Sequence, residues 1–275
     1  MSDQFPPQVP ITERYVYLTD CSFPPRVLDS GLLLGDREVH LWLADLQISA
    51  TDRDRLFKHL SDDEVQRAKR YRFEKDQNAF IASRGILRML LGAYAGMHPA
   101  EIQFSYRDRG KPELANSKSI SDLQFNLSHA NGMALYAIAH HLTVGVDLEF
   151  HRPTADLEQL SKRFFSAQEY AIICALPPEQ RQPCFFRLWT CKEAYIKATG
   201  DGLMGLSTAT LAFDIGQSFK ILGLEASTRL KHSWSLVQFQ PLTRYTAAMA
   251  VASQDYHLRL QKLRFASAEL NRPES

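Results

Sequence analysis

Val144-Gly145-Val146-Asp147-Leu148-Glu149-Phe150 is the stretch on which the reading of this chain turns. Large apolar residues alternate with a glycine and two carboxylates, the two-residue period of a strand with unlike faces. Val144, Val146, Leu148 and Phe150 point one way, toward a core. Asp147 and Glu149 point the other way, beside Gly145, which has no side chain to obstruct that face. Carboxylates two positions apart lie roughly 7 Å apart along a strand, near enough to converge on one hard cation. Two readings stand at this point: a half-buried strand showing its polar face to water, or part of a cation site.

Downstream, residues 183–203 read PCFFRLWTCKEAYIKATGDGL. On a helix Glu193 and Lys197 share a face, with Thr190 three residues earlier. A surface ion pair accounts for that spacing, but Trp189 and the Gly200-x-Gly202 terminus flank the pair and favour a cleft. A third carboxylate would complete a magnesium site, since magnesium takes oxygen ligands and keeps water and substrate phosphates in its other positions. Upstream, Phe125–Gly132 is a strand running into a turn, which sets Ser128 and His129 at a sheet edge. Tyr106–Glu113 is a charged turn containing Lys111. Arg67, Lys69, Arg70, Arg72 and Lys75 put five positive charges into nine residues. A structural histidine, a solvated loop and a solvated helix face are the plain readings of these three; anion binding is the alternative.

With 275 residues, 45% hydrophobic and 23% charged, the chain can bury one large core or two modest ones. The formal net charge of +1 gives no whole-molecule attraction to nucleic acid or to an anionic membrane, so an anion site must be local. Cys21, Cys174, Cys184 and Cys191 have no C-x-x-C or zinc-finger spacing and read as reduced, structural residues. The N-terminus MSDQFPPQVP lacks the basic and apolar regions of a signal peptide. Nothing approaches the length of a membrane span, and the expected compartment is cytoplasmic.

Residues 1–13 and about 268–275 lack periodicity and are expected to fray. Val39–Leu46 reads as a strand. Ser61 and Glu64 have the spacing of a capping box, opening a helix through Arg67–Tyr71, and a longer helix covers about Lys75–Tyr94. Strands are expected at Ile102–Tyr106, Phe125–Leu127, Met133–Ala139 and Thr143–Phe150, helices at 156–173 and 179–198, and strands at Trp234–Phe239, Tyr245–Val251 and Leu258–Phe265. This order predicts an α+β chain of two lobes, residues 1–142 and 143–275, joined near residue 142.

Taken in order, Phe125-Asn-Leu-Ser-His129, then Gly145-Val-Asp-Leu-Glu149 about 16 residues on, then Trp189-Thr-Cys-Lys-Glu-Ala-Tyr-Ile-Lys197 and Gly200-Asp-Gly-Leu203 about 40 residues further, form a specific set. The chain resembles the Sfp-type 4′-phosphopantetheinyl transferases. Arg67-x-x-Arg-Tyr-Arg-Phe73, Ala82-Ser-Arg-Gly-Ile-Leu-Arg88 and Gly110-Lys-Pro-Glu-Leu114 are similar to that family too. The resemblance runs from about Leu41 to Leu203, and W-x-x-K-E-A resembles the subgroup with alanine after the glutamate.

The resemblance implies a pseudo-dimer of two similar α+β lobes, each an antiparallel sheet packed with helices, with coenzyme A between them. The implied reaction moves 4′-phosphopantetheine from coenzyme A to a serine of an apo acyl, peptidyl or aryl carrier protein of fatty-acid, polyketide or nonribosomal peptide synthesis. Asp147, Glu149 and Glu193 are the implied Mg2+ ligands. Glu193 is also the implied base, with Lys197 stabilising phosphate charge. His129, Lys111, Arg67 and Arg72 are implied phosphate contacts, Ser128 lies near them, and Asp147 and Lys197 also face the cofactor. The enzyme is expected to be a monomer, with carrier docking near His151–Lys162. The rival readings are another magnesium-dependent nucleotide phosphotransfer enzyme and a non-catalytic carrier-binding scaffold.

Overall fold

The computed structural model describes residues 15–23, 32–106, 110–115, 122–153, 156–200, 202, 210–214, 220–225 and 234–265 of the chain. The ends expected to fray, Arg107–Arg109 of the charged turn, and Asp201 and Leu203 of the glycine-rich terminus lie outside the described residues, as does the side chain of Cys21.

The first half runs β1 (Tyr15–Phe23), β2 (Glu38–Asp45), α1 (Ala50–Phe57), α2 (Asp62–Lys69), α3 (Glu74–Ala95), β3 (Phe104–Tyr106), β4 (Pro112–Leu114), β5 (Leu123–Ala130) and β6 (Met133–His140). The second runs β7 (Val144–Phe150), α4 (Leu157–Phe164), α5 (Ala167–Ala175), α6 (Pro178–Thr199), β8 (Thr210–Asp214), β9 (Lys220–Glu225), β10 (Ser235–Phe239), β11 (Tyr245–Val251) and β12 (His257–Phe265). The fold is α+β, as the pattern predicts.

Two sheets stack between two long helices. The first has the order β1-β12-β2-β6-β5 and the second β10-β11-β7. Strand alternation assigns the layers. Trp42, Tyr136 and Ile138 join Ile86, Leu87, Leu90 and Leu91 of α3 in one core. Their neighbours Leu41, Leu43, Leu135 and Ala137 face Val146, Leu148, Ala247 and Met249 of the second sheet. Ala248 and Ala250, on the far face of β11, pack with Leu188, Ala194 and Ala198 of α6. Because β6 is covered on both faces, Met133–Ala139 is a continuous apolar run. The strands are antiparallel except that β12 runs parallel to both β1 and β2, bringing a segment from the second half into the first sheet.

Several local details follow from capping and turn chemistry. The Ser61–Glu64 capping box opens α2, with the Glu64 carboxylate accepting from the Ser61 N–H at 3.1 Å. Asn131 and Gly132, both at positive φ, make the two-residue turn between β5 and β6. The single helix expected over 156–173 is two helices. Phe165 leaves the helix in an extended conformation, and Ser166 caps α5 by accepting from Glu169 N–H. β3 starts at Phe104 rather than Ile102, because Pro99–Glu101 forms a 3-10 turn ahead of it. Among the described cysteines, Cys184 and Cys191 are buried, and burial pushes the Cys184 thiol up to about 12; Cys174 is exposed.

Candidate active site

The site forms where the edges of the two sheets meet. β5 ends the first sheet and β7 ends the second. An edge strand has unpaired backbone groups, and here the side chain of Asn126 serves one of them, its Oδ1 accepting the Val146 N–H at 2.9 Å. Two residues on, Ser128 Oγ donates to Asp147 Oδ1 at 2.9 Å.

The other wall is α6. A Cβ at Gly145 would fall 2.1 Å from the Ala194 carbonyl oxygen and 2.4 Å from the Ala198 nitrogen. The face beside Gly145 is therefore not open, as the sequence suggests; the helix backbone occupies it. This glycine and the small Ala194 and Ala198 let the helix lie directly on β7, which lowers the Glu193–Lys197 face onto the acid pair. Lys197 Nζ reaches Asp147 Oδ1 at 2.6 Å and Ser128 Oγ at 2.9 Å.

Lys197 thus pairs with Asp147, and Glu149 and Glu193 lie near enough to feel both charges. Asp147 is buried, and its Oδ2 has no partner. Burial, and then the Asp147 charge, raise the Glu149 carboxyl to about 7, against the lowering effects of Lys197 and a hydrogen bond from Trp189. Burial and Asp147 likewise raise Glu193, opposed by Lys197. An orphaned buried carboxylate oxygen beside two reluctantly ionised acids fits a hard divalent cation supported by an all-oxygen donor set.

A pH experiment tests that reading. Glu149 keeps its proton in the fold where the unfolded chain loses it, so it costs no stability below its ordinary 4.5. The penalty grows from there to about 7 and persists above. Without divalent cations, Glu149→Gln should match wild type in chemical denaturation near pH 4.5 and exceed it at pH 8. Millimolar Mg2+ should close the gap by stabilising wild type alone. A stability difference that does not change with pH would remove the crowding argument.

On the opposite side of β5 from Ser128, His129 lines an open cleft of about 980 Å3 with Arg53, Arg67, Lys75 and Arg84. Burial and the nearby Lys197 charge lower the His129 pKa. Arg67 lies over the Phe80 ring, 5.3 Å from its centroid. The structure therefore brings Arg67 and His129 together in this cleft, and Ser128, Asp147, Glu149, Glu193 and Lys197 together behind it. Lys111 does neither directly: its ammonium donates to the Ala198 carbonyl at 2.7 Å, joining the 110–112 segment to α6. Arg72 is not among the cleft residues; it lies over Phe73 on an exposed part of the surface.

Sequence reading missed Arg53 and Arg84 as cleft residues. Arg84 and Arg88 both bind the buried Glu64 carboxylate, which fastens α2 to α3, and Arg84 also reaches the Tyr106 hydroxyl at 3.1 Å. Arg53 comes from α1, whose one sequence signal is Ser49, accepting from the Asp52 N–H at 3.1 Å. Lys192, next to Glu193, faces away from the acids into a buried pair with Glu169 at 2.6 Å, which ties α5 to α6.

Comparison with known proteins identifies relatives of both halves of the sequence. Residues 47–141 match the family described as 4′-phosphopantetheinyl transferase, N-terminal. Residues 143–252 match the 4′-phosphopantetheinyl transferase superfamily. The chain is 44% identical over 220 residues to the 4′-phosphopantetheinyl transferase HetI of Nostoc sp., covering 80% of this chain and 90% of that protein. It is 26% identical over 159 residues to Sfp of Bacillus subtilis, covering 58% of this chain and 68% of that one. A solved holo-(acyl-carrier-protein) synthase from Bacillus anthracis aligns with 40% of this chain and 93% of its own, at 19% identity and a TM-score of 0.34.

Proposed function

The chain belongs to the 4′-phosphopantetheinyl transferase superfamily, and on that premise we propose how its own residues carry out the transfer from coenzyme A to a carrier-protein serine. The observation that carries the proposal is the orphaned Asp147 Oδ2 beside Lys197, with the Asp147 and Lys197 charges acting on both Glu149 and Glu193. Asp147, Glu149 and Glu193 would hold Mg2+. When bound, that ion would neutralise charge on the pyrophosphate of coenzyme A and polarise the phosphorus under attack.

The protein's part is to position groups and move one proton. Ser128 and Lys197 fix one oxygen of Asp147, leaving the other for the cation. The serine hydroxyl of the carrier attacks the β-phosphorus, and the bond from that phosphorus to the bridging oxygen breaks. Adenosine 3′,5′-bisphosphate leaves with the bond's electrons. Glu193, on the same helix face as Lys197, takes the serine proton. Lys197 offsets the charge that develops on the departing phosphate.

The cleft takes the nucleotide end, with Arg67 and His129 meeting phosphate and Lys75 beside them. Lys111 would hold the cleft against α6. One chain supplies both the phosphate cations, which precede residue 142, and the acids that follow it, so a monomer suffices. Among the described residues no helix is long and apolar enough to cross a membrane, which suits an enzyme that meets its coenzyme and carrier in cytoplasm. The activity test is direct. The protein, coenzyme A, Mg2+ and an apo-carrier should give a carrier heavier by one phosphopantetheine in mass spectrometry, and a carrier Ser→Ala variant should gain nothing.

A second measurement addresses His129. Its pKa is held down in the empty cleft by burial and by Lys197. An arriving phosphate dianion favours the imidazolium. Binding near neutral pH should therefore take up protons, and calorimetric heats should vary with the ionisation enthalpy of the buffer. In His129→Ala that variation should shrink, with affinity falling about 10-fold, one charge-assisted bond. Identical buffer dependence in the variant would move the phosphate contact elsewhere.

A further inference from the structure

A second group of metal-ligating side chains lies at the end of β6 remote from the acids. The Asn131–Gly132 end of the β5–β6 hairpin is beside the cleft, whereas His140 closes β6 roughly 24 Å away, seven strand steps. His141 follows it, and the turn preceding β2 brings Asp36 alongside. His140 Nδ1 lies 3.1 Å from Asp36 Oδ1. One donor atom from each of Asp36, His140 and His141 lies within 4.8 Å of the other two. The two imidazole rings are 4.0 Å apart, inclined at 49°. Asp122, just ahead of β5, places Oδ1 3.5 Å from His141 Nδ1.

A surface His–Asp contact explains one of these pairs, but not the convergence of two imidazoles with a carboxylate on each. His141 also has a φ of 61°, a left-handed conformation that a non-glycine residue holds only when its surroundings fix it. Its N–H bonds to the Asp122 carbonyl at 2.8 Å, so the histidine and its acidic neighbour are fastened twice.

We propose that Asp36, His140 and His141 form a binding site for a late first-row divalent ion of the zinc, cobalt and nickel class, separate from the site of phosphate transfer. Imidazole with carboxylate suits those ions, whereas magnesium and calcium take oxygen. Around a tetrahedral ion with bonds of 2.0–2.1 Å, ligand atoms sit roughly 3.3 Å apart, close to the spacing already present between His140 and Asp36. Asp122 Oδ1 lies 3.5 Å from one ring nitrogen of His141, near enough to take the orienting place of a carboxylate behind a ligating histidine once the site closes. All four side chains are at least partly exposed, so water completes the coordination and the ion exchanges freely. Bound there, it joins the turn before β2 to the connection from β6 into β7, where the chain passes from the first sheet to the second.

The experiment uses the full-length protein with millimolar Mg2+ present to compete for the all-oxygen site. Titration with ZnCl2 by calorimetry should show one equivalent bound, and Co2+ should develop the visible absorption of a four-coordinate ion. Asp122→Asn should weaken zinc binding by about 10-fold, within the range for a carboxylate behind a ligand, and His140→Ala should weaken it more. Transferase activity should not change in either. Absence of a zinc equivalent in wild type would overturn the proposal, as would undiminished binding in a folded His140→Ala/His141→Ala double variant.

Discussion

Asp147→Asn should fold like wild type and lose turnover by about 100- to 1,000-fold at saturating coenzyme A, the range for removing one preorganised electrostatic contact. The substitution keeps the shape of the side chain and an oxygen for Ser128, so the β5–β7 contact survives. What it removes is the charge that holds Lys197 at 2.6 Å and the partnerless oxygen reserved for the cation. Lys197 is 30% exposed and can turn to water. Loss of one of three crowded carboxylates also relieves repulsion on Glu149 and Glu193. The melting temperature should therefore stay within a few degrees of wild type, while raising Mg2+ fails to restore the rate. Turnover within threefold of wild type would remove Asp147 from the mechanism.

Gly145→Ala should act on fold and rate together. The three atoms nearest the new methyl, at 2.1, 2.4 and 2.8 Å, are all backbone of α6, so no flexible side chain can yield. Ordinary contact begins near 3.4 Å, and α6 must retreat by about an ångström. Overpacking of this kind costs about 3 kcal/mol, or roughly 6–12 °C in melting temperature. The retreat carries Glu193 and Lys197 away from Asp147, and a misplacement of that size is worth about 100-fold in rate. Activity per folded molecule, measured well below the transition, separates the two effects. A variant that melts early but turns over normally would show that the strand–helix approach serves packing alone.

The strand Val144–Phe150 was legible because one face is apolar and the other acidic, and α3 because its apolar residues recur at helical spacing over 22 residues. α1 was not, because ATDRDRLF buries little beyond Leu56 and Asp52; Arg53 vanished from the expected site with it. The Phe165–Ser166 break was hidden by apolar residues on both sides, although Ser166 and Glu169 carried the same capping signal that revealed α2 at Ser61. In the site, alternation along a strand paired Asp147 with Glu149 and the four-residue helical spacing paired Glu193 with Lys197, but only the family resemblance joined the two pairs into one site. Sequence carried no comparable rule for Arg72 or Lys111. A charge on a long side chain has no period, and its destination depends on rings and carbonyls brought in by tertiary structure, here Phe73 and Ala198. Lys192 shows the reverse: a charged residue inside the most specific motif whose place is a buried pair with Glu169.

The parallel placement of β12 between β1 and β2 governs how the protein can be made. Tyr15 of β1 meets Leu258 of β12, about 240 residues later in the chain. On a ribosome synthesising from the N-terminus, β2, β6 and β5 can assemble early as an antiparallel group, but β2 keeps one bare edge until β12 emerges. Through most of synthesis that edge can accept a strand from another nascent chain. A sheet closed by so distant a segment pays its loop-closure entropy last, so β12 pairing should be the late step of folding. Interruption of translation before residue 257 would leave a product that is sticky and not merely inactive.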